Sequence, residues 1–154
     1  MARKRHFSSG LICRGSPKNL EVLVQGYVSI DRSFPLSFGK LQIKFPGGTN
    51  QDHPKVWDPR KTLTRELREE LYLRVKRGIN PKEVWVSKGA NLDMFFFLLM
   101  ENDLSGEIRD IEIEDGKSRL LVPEWMTFDK IRRVIYRTHR PAVTALSEHF
   151  GLMG

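Results

Sequence analysis

The chain has 154 residues, with 26 Lys and Arg against 19 Asp and Glu, a net charge of +7 and 40% hydrophobic residues. This length suits one domain, 1–154, with one core, and the basic surface favours polyanions such as nucleotides, nucleic acid or acidic lipid. The longest apolar run, Met94–Met100, is far too short to span a bilayer. No apolar signal segment follows the basic "MARKRHF", and the lone Cys13 has no partner for an internal disulfide, so a reducing cytoplasm and no membrane are expected.

In chain order, "GLICR" (10–14) and "LEVLVQGYVSI" (20–30) are apolar and rich in β-branched residues, and the "GSPKN" between them predicts a β-hairpin. "DRSFPLSFG" (31–39) reads as a loop from its Pro, Gly and Ser. "KLQIKF" (40–45) alternates polar and apolar residues like a half-buried strand, which Pro46-Gly47-Gly48 is expected to end in a sharp turn. Asp58 is a good N-cap and Pro59 suits the first helical position, so a helix is predicted from Pro59 to about Val75. Leu63, Leu67 and Leu71 recur every fourth residue as its buried stripe. "KEVWVSK" and "LDMFFFLLME" read as strands, with Phe95-Phe96-Phe97 as sheet core, and "SGEIRDIEIEDGKSRLLV" holds one or two more, broken at Asp115-Gly116. "PEWMTFDKIRRVI" is a strand end followed by a short helix, and "HRPAVTALSEHFGLM" a closing amphipathic helix with Pro141 near its start. The order of strands, helix, strands, helices predicts an α/β (α+β) fold, a mixed β-sheet packed between helices.

The first helix bears an unusual load. At about 100° per residue, Glu66, Glu69 and Glu70 share one contiguous arc beside the leucine stripe, at the edge of the buried face. Carboxylates so placed repel one another and lose hydration, which either raises their pKa values or calls for a cation. Hard divalent ions such as Mg²⁺ take oxygen ligands and suit the second remedy. Arg65 lies four residues before Glu69 and can orient one carboxylate. Helices charged in this way are also common as solvated faces, so the spacing alone leaves both readings open. Gly47-Gly48, directly after a strand, permits close approach of the backbone to a ligand or simply a turn.

Together, "PGG", a loop and "RELREEL" resemble the Nudix box, G-x5-E-x7-R-E-U-x-E-E-x-G-U with U a bulky aliphatic. Gly48 matches the first glycine, and Arg65, Glu66, Leu67, Glu69, Glu70 and Leu73 match the second half. "SSGLICRG" resembles the family's first strand, and "EWMTFDKI" its late Trp-containing strand end and short helix. The chain departs from the pattern in three places: the Gly48–Arg65 interval is three residues longer, Trp57 stands for the loop glutamate, and Tyr72 stands for the late glycine. The insertion "NQDHP" implies a rebuilt loop, and Tyr72 implies a helix that ends differently.

The resemblance implies a Nudix-like α/β/α sandwich and divalent-metal-dependent hydrolysis of the diphosphate linkage in a nucleoside diphosphate joined to another moiety. Carried over residue by residue, it makes Glu66, Glu69 and Glu70 the metal residues for Mg²⁺ or Mn²⁺, with Glu66 and Glu70 as direct ligands and the Gly48 carbonyl as a further one. Arg65 joins them in the catalytic set. For the substrate, Gly47, Gly48, Lys44 and Trp57 are the candidates, with Arg14, Lys40, Arg68, Phe34 and Phe38 as further phosphate or base contacts. The proton acceptor is a helix glutamate or one from another loop; Glu112 and Glu114 qualify, although the alternating "IEIE" (111–114) reads more readily as an exposed strand face. The alternative function is a Nudix-fold module that binds nucleotide or nucleic acid without turnover. Nucleic acid held by "ARKR" and "KIRRVIYRTHR", and a homodimer, are the remaining partner expectations.

Overall fold

The computed structural model describes residues 4–51 and 53–152. Its strands are β1 (Arg5–Arg14), β2 (Glu21–Ser29), β3 (Leu41–Lys44), β4 (Gly47–Thr49), β5 (Arg74–Val75), β6 (Lys82–Lys88), β7 (Leu92–Met100), β8 (Leu104–Ser105), β9 (Ile113–Asp115), β10 (Ser118–Leu120) and β11 (Glu124–Thr127). Its α-helices are α1 (Pro59–Leu71), α2 (Phe128–Val134) and α3 (Arg140–Phe150).

The main sheet runs β6-β7-β1-β2-β10-β9, with β4 on β1 and with β3 and β11 on β2. β1 pairs in parallel with β7 and antiparallel with β2 and β4, so the sheet is mixed. Alternation along each central strand divides the core between the two faces. Ile12, Leu23, Phe97 and Leu99 point to one face and pack with Leu63, Leu67 and Leu71 of α1. Leu11, Cys13, Val22, Val24, Phe96 and Leu98 point to the other and pack with Phe128 and Ile131 of α2 and Ala142, Val143 and Leu146 of α3. The predicted sandwich of helices about a mixed sheet is therefore the observed one. Each leucine of the α1 stripe is fully buried, contributing about 1.5–3 kcal/mol apiece. Cys13 is inert core, its thiol pushed up to about 12 by burial.

β1 and β2 pair only at Cys13–Val22 and Arg14–Glu21. Beyond that point β1 takes β4 as its neighbour and β2 takes β3. The segment 41–49 thus crosses a fork in the sheet, and Phe45-Pro46 carries the chain from one branch to the other. Here the structure corrects the expectation of a glycine turn: Gly47 and Gly48 form a strand paired with Ser9 and Ser8. What demands glycine is crowding, because a Cβ on Gly47 would run into the Ser8 carbonyl.

The helix that carries the glutamates begins as predicted. Asp58 Oδ1 accepts from the Arg60 N–H at 2.9 Å, with Pro59 in the first turn. It ends at Leu71, four residues short of the expected Val75. Tyr72 terminates it with φ 64°, the one non-glycine residue in the left-handed region among the described residues. Its N–H donates to the Arg68 carbonyl at 3.2 Å, and the following Leu73 N–H donates to that of Leu67 at 3.3 Å. Tyr72 therefore adopts the conformation a glycine would supply, and the helix does not end differently on its account; an L side chain is held there at a cost of about 1–2 kcal/mol.

Candidate metal and active site

α1 lies along the fork, and its acidic edge faces the split between β1 and β2. Glu66 is 8% exposed and Glu70 2% exposed. One oxygen from each, together with one from exposed Asp115, lies within 4.8 Å of the others. Asp115 reaches this point because β9 and β10 extend the β2 branch: Asp115 pairs with Ser118, and Ser118 with Ser29.

Glu70 is the most constrained of the three. Its Oε1 accepts from Gln25 Nε2 at 2.6 Å, Tyr27 Oη at 2.8 Å and the Gly47 N–H at 3.4 Å. Burial, and then the charge of Glu66, push its carboxyl well above the usual range despite those donors. Glu66 is raised too, mainly by burial, against the opposing pull of Arg65. Arg65 Nη2 donates to Glu66 Oε1 at 3.2 Å and to the Thr49 carbonyl at 3.0 Å, tying helix to β4. Gly48 leaves the room for this: a Cβ there would sit 2.5 Å from the Glu66 carboxyl carbon. The box glycine is thus a cradle for a box glutamate.

Glu69 occupies the same edge but is 54% exposed, with Arg65 Nε 3.9 Å from its Oε1, and stands outside the group of three. Lys44, on β3, is half-buried, its Nζ 5.1 Å from the Tyr27 ring centre and 4.9 Å from that of Tyr136. Burial lowers its pKa, and the charge of Glu70 opposes the shift. Trp57 is half-buried immediately before the Asp58 cap. The rebuilt loop is pinned by buried Asn50, which accepts from the His6 N–H at 3.1 Å and donates to the Val56 carbonyl at 2.9 Å. Asp52 of the insertion lies outside the described residues, as do Ala2 and Arg3 of "ARKR". Glu112 and Glu114 are exposed and outside the group, whereas the next acidic residue, Asp115, belongs to it.

Sequence reading missed Asp115, Gln25, Tyr27 and Arg109. Asp115 was absorbed into an Asp-Gly turn. Gln25 and Tyr27 left a faint signal, since they follow Leu23 at a period of two on the face toward α1. Arg109 left none.

The donor set fits a hard divalent cation: oxygen ligands only, two of them buried and mutually repelling, with a third from another element. No family model matches the sequence, and no curated protein does. Solved structures do. A MutT chain described for Aliivibrio salmonicida and Vibrio cholerae aligns at 15% identity over 96% of this chain and 100% of its own, with TM-score 0.67. The MutT NUDIX hydrolase of Burkholderia pseudomallei aligns at 18% identity over 94% and 98%, with TM-score 0.64. The NUDIX domain of Shewanella oneidensis NrtR, complexed with ADP ribose, aligns at 12% identity over 97% and 90%, with TM-score 0.62. The chain has the Nudix fold. No helix among the described residues is long and apolar enough to cross a membrane.

Proposed function

We propose that this chain is a divalent-metal-dependent hydrolase that cleaves the diphosphate linkage of a nucleoside diphosphate joined to another moiety. The observation that carries this reading is the convergence of Glu66, Glu70 and Asp115 within 4.8 Å at the edge of the box helix. Glu66 and Glu70 would hold the ion, Mg²⁺ or Mn²⁺, with Asp115 as a third ligand and the Gly48 carbonyl beside them. When bound, such an ion offsets charge on the diphosphate oxygens and lowers the pKa of its water.

The chain's own residues divide the remaining work. Arg65 holds Glu66 and the Thr49 carbonyl in register. Lys44 offers its ammonium to a phosphate oxygen, backed by the rings of Tyr27 and Tyr136. Trp57 supplies an apolar wall at the foot of the loop. Glu69, exposed on the same edge, takes the proton of the attacking water. The basic surface draws polyanions toward this corner; exposed Arg132, Arg133, Arg137 and Arg140 also support nucleic-acid contact, which should weaken steeply with salt.

The test is a panel of nucleotide sugars, dinucleoside polyphosphates, ADP-ribose and nucleoside triphosphates with Mg²⁺, comparing wild type with Glu70→Gln. Metal-dependent turnover that collapses in the variant supports the reading. Ligand binding without turnover, unchanged by Glu70→Gln, would favour a binding module instead, the outcome that the lengthened loop around Trp57 motivates.

A further inference from the structure

Arg109 sits between β8 and β9, far from the box in sequence, yet it is 2% exposed with its whole guanidinium engaged. Its backbone N–H donates to the Leu71 carbonyl at 3.0 Å, and its Nε to the Glu70 carbonyl at 2.6 Å. Two of the orphan carbonyls at the end of α1 are thereby satisfied by one residue. Nη1 donates to the carbonyls of Ile111 and Leu120, and Nη2 to that of Leu121 at 3.0 Å. The guanidinium therefore joins the end of the box helix to the strand pair that carries Asp115.

The remaining bond runs inward. Arg109 Nη2 donates to Gln25 Oε1 at 2.7 Å, and Gln25 is fully buried. A guanidinium has no acceptor, so it admits only the oxygen end of the amide. Gln25 Nε2 is thereby turned toward Glu70 Oε1, 2.6 Å away, and Tyr27 Oη, 2.8 Å away. The Tyr27 oxygen accepts from that amide, so its own proton goes to Glu70 Oε1 at 2.8 Å. A reversed amide would set oxygen against carboxylate and NH₂ against guanidinium. Each donor direction follows from the one before it, and every hydrogen bond to this carboxylate from the described residues falls on Oε1.

We propose that Arg109, acting through Gln25 and Tyr27, is a positioning residue of the metal site, which saturates Glu70 Oε1 and turns Oε2 toward the cation shared with Glu66 and Asp115. Ligating carboxylates depend on such hydrogen-bonded partners, whose loss lowers metal affinity by about 10–100-fold. The inference rests on the hydrolase reading above only in requiring that a cation bind there.

The test is Mn²⁺ titration of the full chain by calorimetry and electron paramagnetic resonance, for wild type, Arg109→Lys, Gln25→Met and the double variant, with thermal unfolding in parallel. Each single change should weaken Mn²⁺ binding about 10-fold or more. The double variant should lose little beyond the worse single one, because both interrupt one relay. Losses that multiply, or unfolding shifts with Mn²⁺ affinity intact, would overturn the relay and leave Arg109 a structural residue. Should Arg109→Lys fail to fold, Gln25→Met with Tyr27→Phe tests the same chain of donors by the same criterion. Wild type without Mn²⁺ binding would sink the hydrolase reading and this inference together, whereas wild-type binding matched by the variants would sink this inference alone.

Discussion

Two regions of the molecule bury titratable groups and treat them in opposite ways. On the α2–α3 face, His139 is 1% exposed among Phe7, Phe45 and Phe96, and its Nδ1 accepts the Phe45 N–H at 3.2 Å. Burial lowers its pKa to about 3, so the ring simply stays neutral and packs as an aromatic. On the α1 face, Glu66 and Glu70 are buried beside each other; burial raises both, and the charge of Glu66 raises Glu70 further. Yet Glu70 is surrounded by donors suited to the ionised form, from Gln25, Tyr27 and Gly47. A group meant to remain neutral does not need three donors on one oxygen. The histidine is a solved packing problem, and the acidic corner is one that the proposed cation would complete.

The largest expected effect breaks this contrast at its acidic end. Glu70→Gln should reduce metal-dependent turnover by at least about 100-fold in steady-state assays, while raising the metal-free unfolding midpoint, because a neutral amide no longer repels Glu66. A variant that loses both activity and metal-free stability would mark Glu70 as structural. At the other end, His139→Phe leaves the Phe45 N–H unpaired and should cost about 1–3 kcal/mol in denaturant unfolding, with Mn²⁺ affinity unchanged.

pH separates the two regions further. His139 titrates near 3 in the fold against an ordinary 6.5, so its contribution is present above 6.5 and is lost as pH falls toward 3. Glu66 and Glu70 are raised from 4.5, so their contribution is present below 4.5 and is lost as pH rises through their folded values. Added Mg²⁺ should therefore raise the thermal midpoint more at about pH 8 than at about pH 5. An equal rise at both would remove the carboxylates from the explanation.

The smallest effect concerns the strained end of the box helix. Tyr72→Gly relieves about 1–2 kcal/mol of left-handed strain but adds chain entropy worth about 0.4–1 kcal/mol to the unfolded state. Half exposed, Tyr72 loses little packing, so a net gain of about 0.5 kcal/mol is expected in denaturant unfolding. A loss would show that the ring makes contacts worth more than the strain.

Local chemistry made much of this legible. Pro59 and Asp58 start α1, the leucine period sets its buried face, and the glutamates follow from that face by helical geometry. The strand pairs flanking "GSPKN" and Asp115-Gly116 were readable because turn residues and alternation act over a few positions. The end of α1 was not, because Tyr72 adopts a conformation its residue type disfavours, and the tertiary contacts of Leu71 and Arg109 hold it there.

By itself the sequence determined the Nudix-like elements, the acidic edge of α1 and the pair of glycines beside it. Only the tertiary structure decided that Gly48 makes room for Glu66, that Asp115 rather than Glu112 or Glu114 completes the group, and that Gln25, Tyr27 and Arg109 aim Glu70. The physical reason is range. Helix faces, caps and turns depend on neighbours in the chain, whereas a carboxylate's partners are whatever the forked sheet brings within about 3 Å of it.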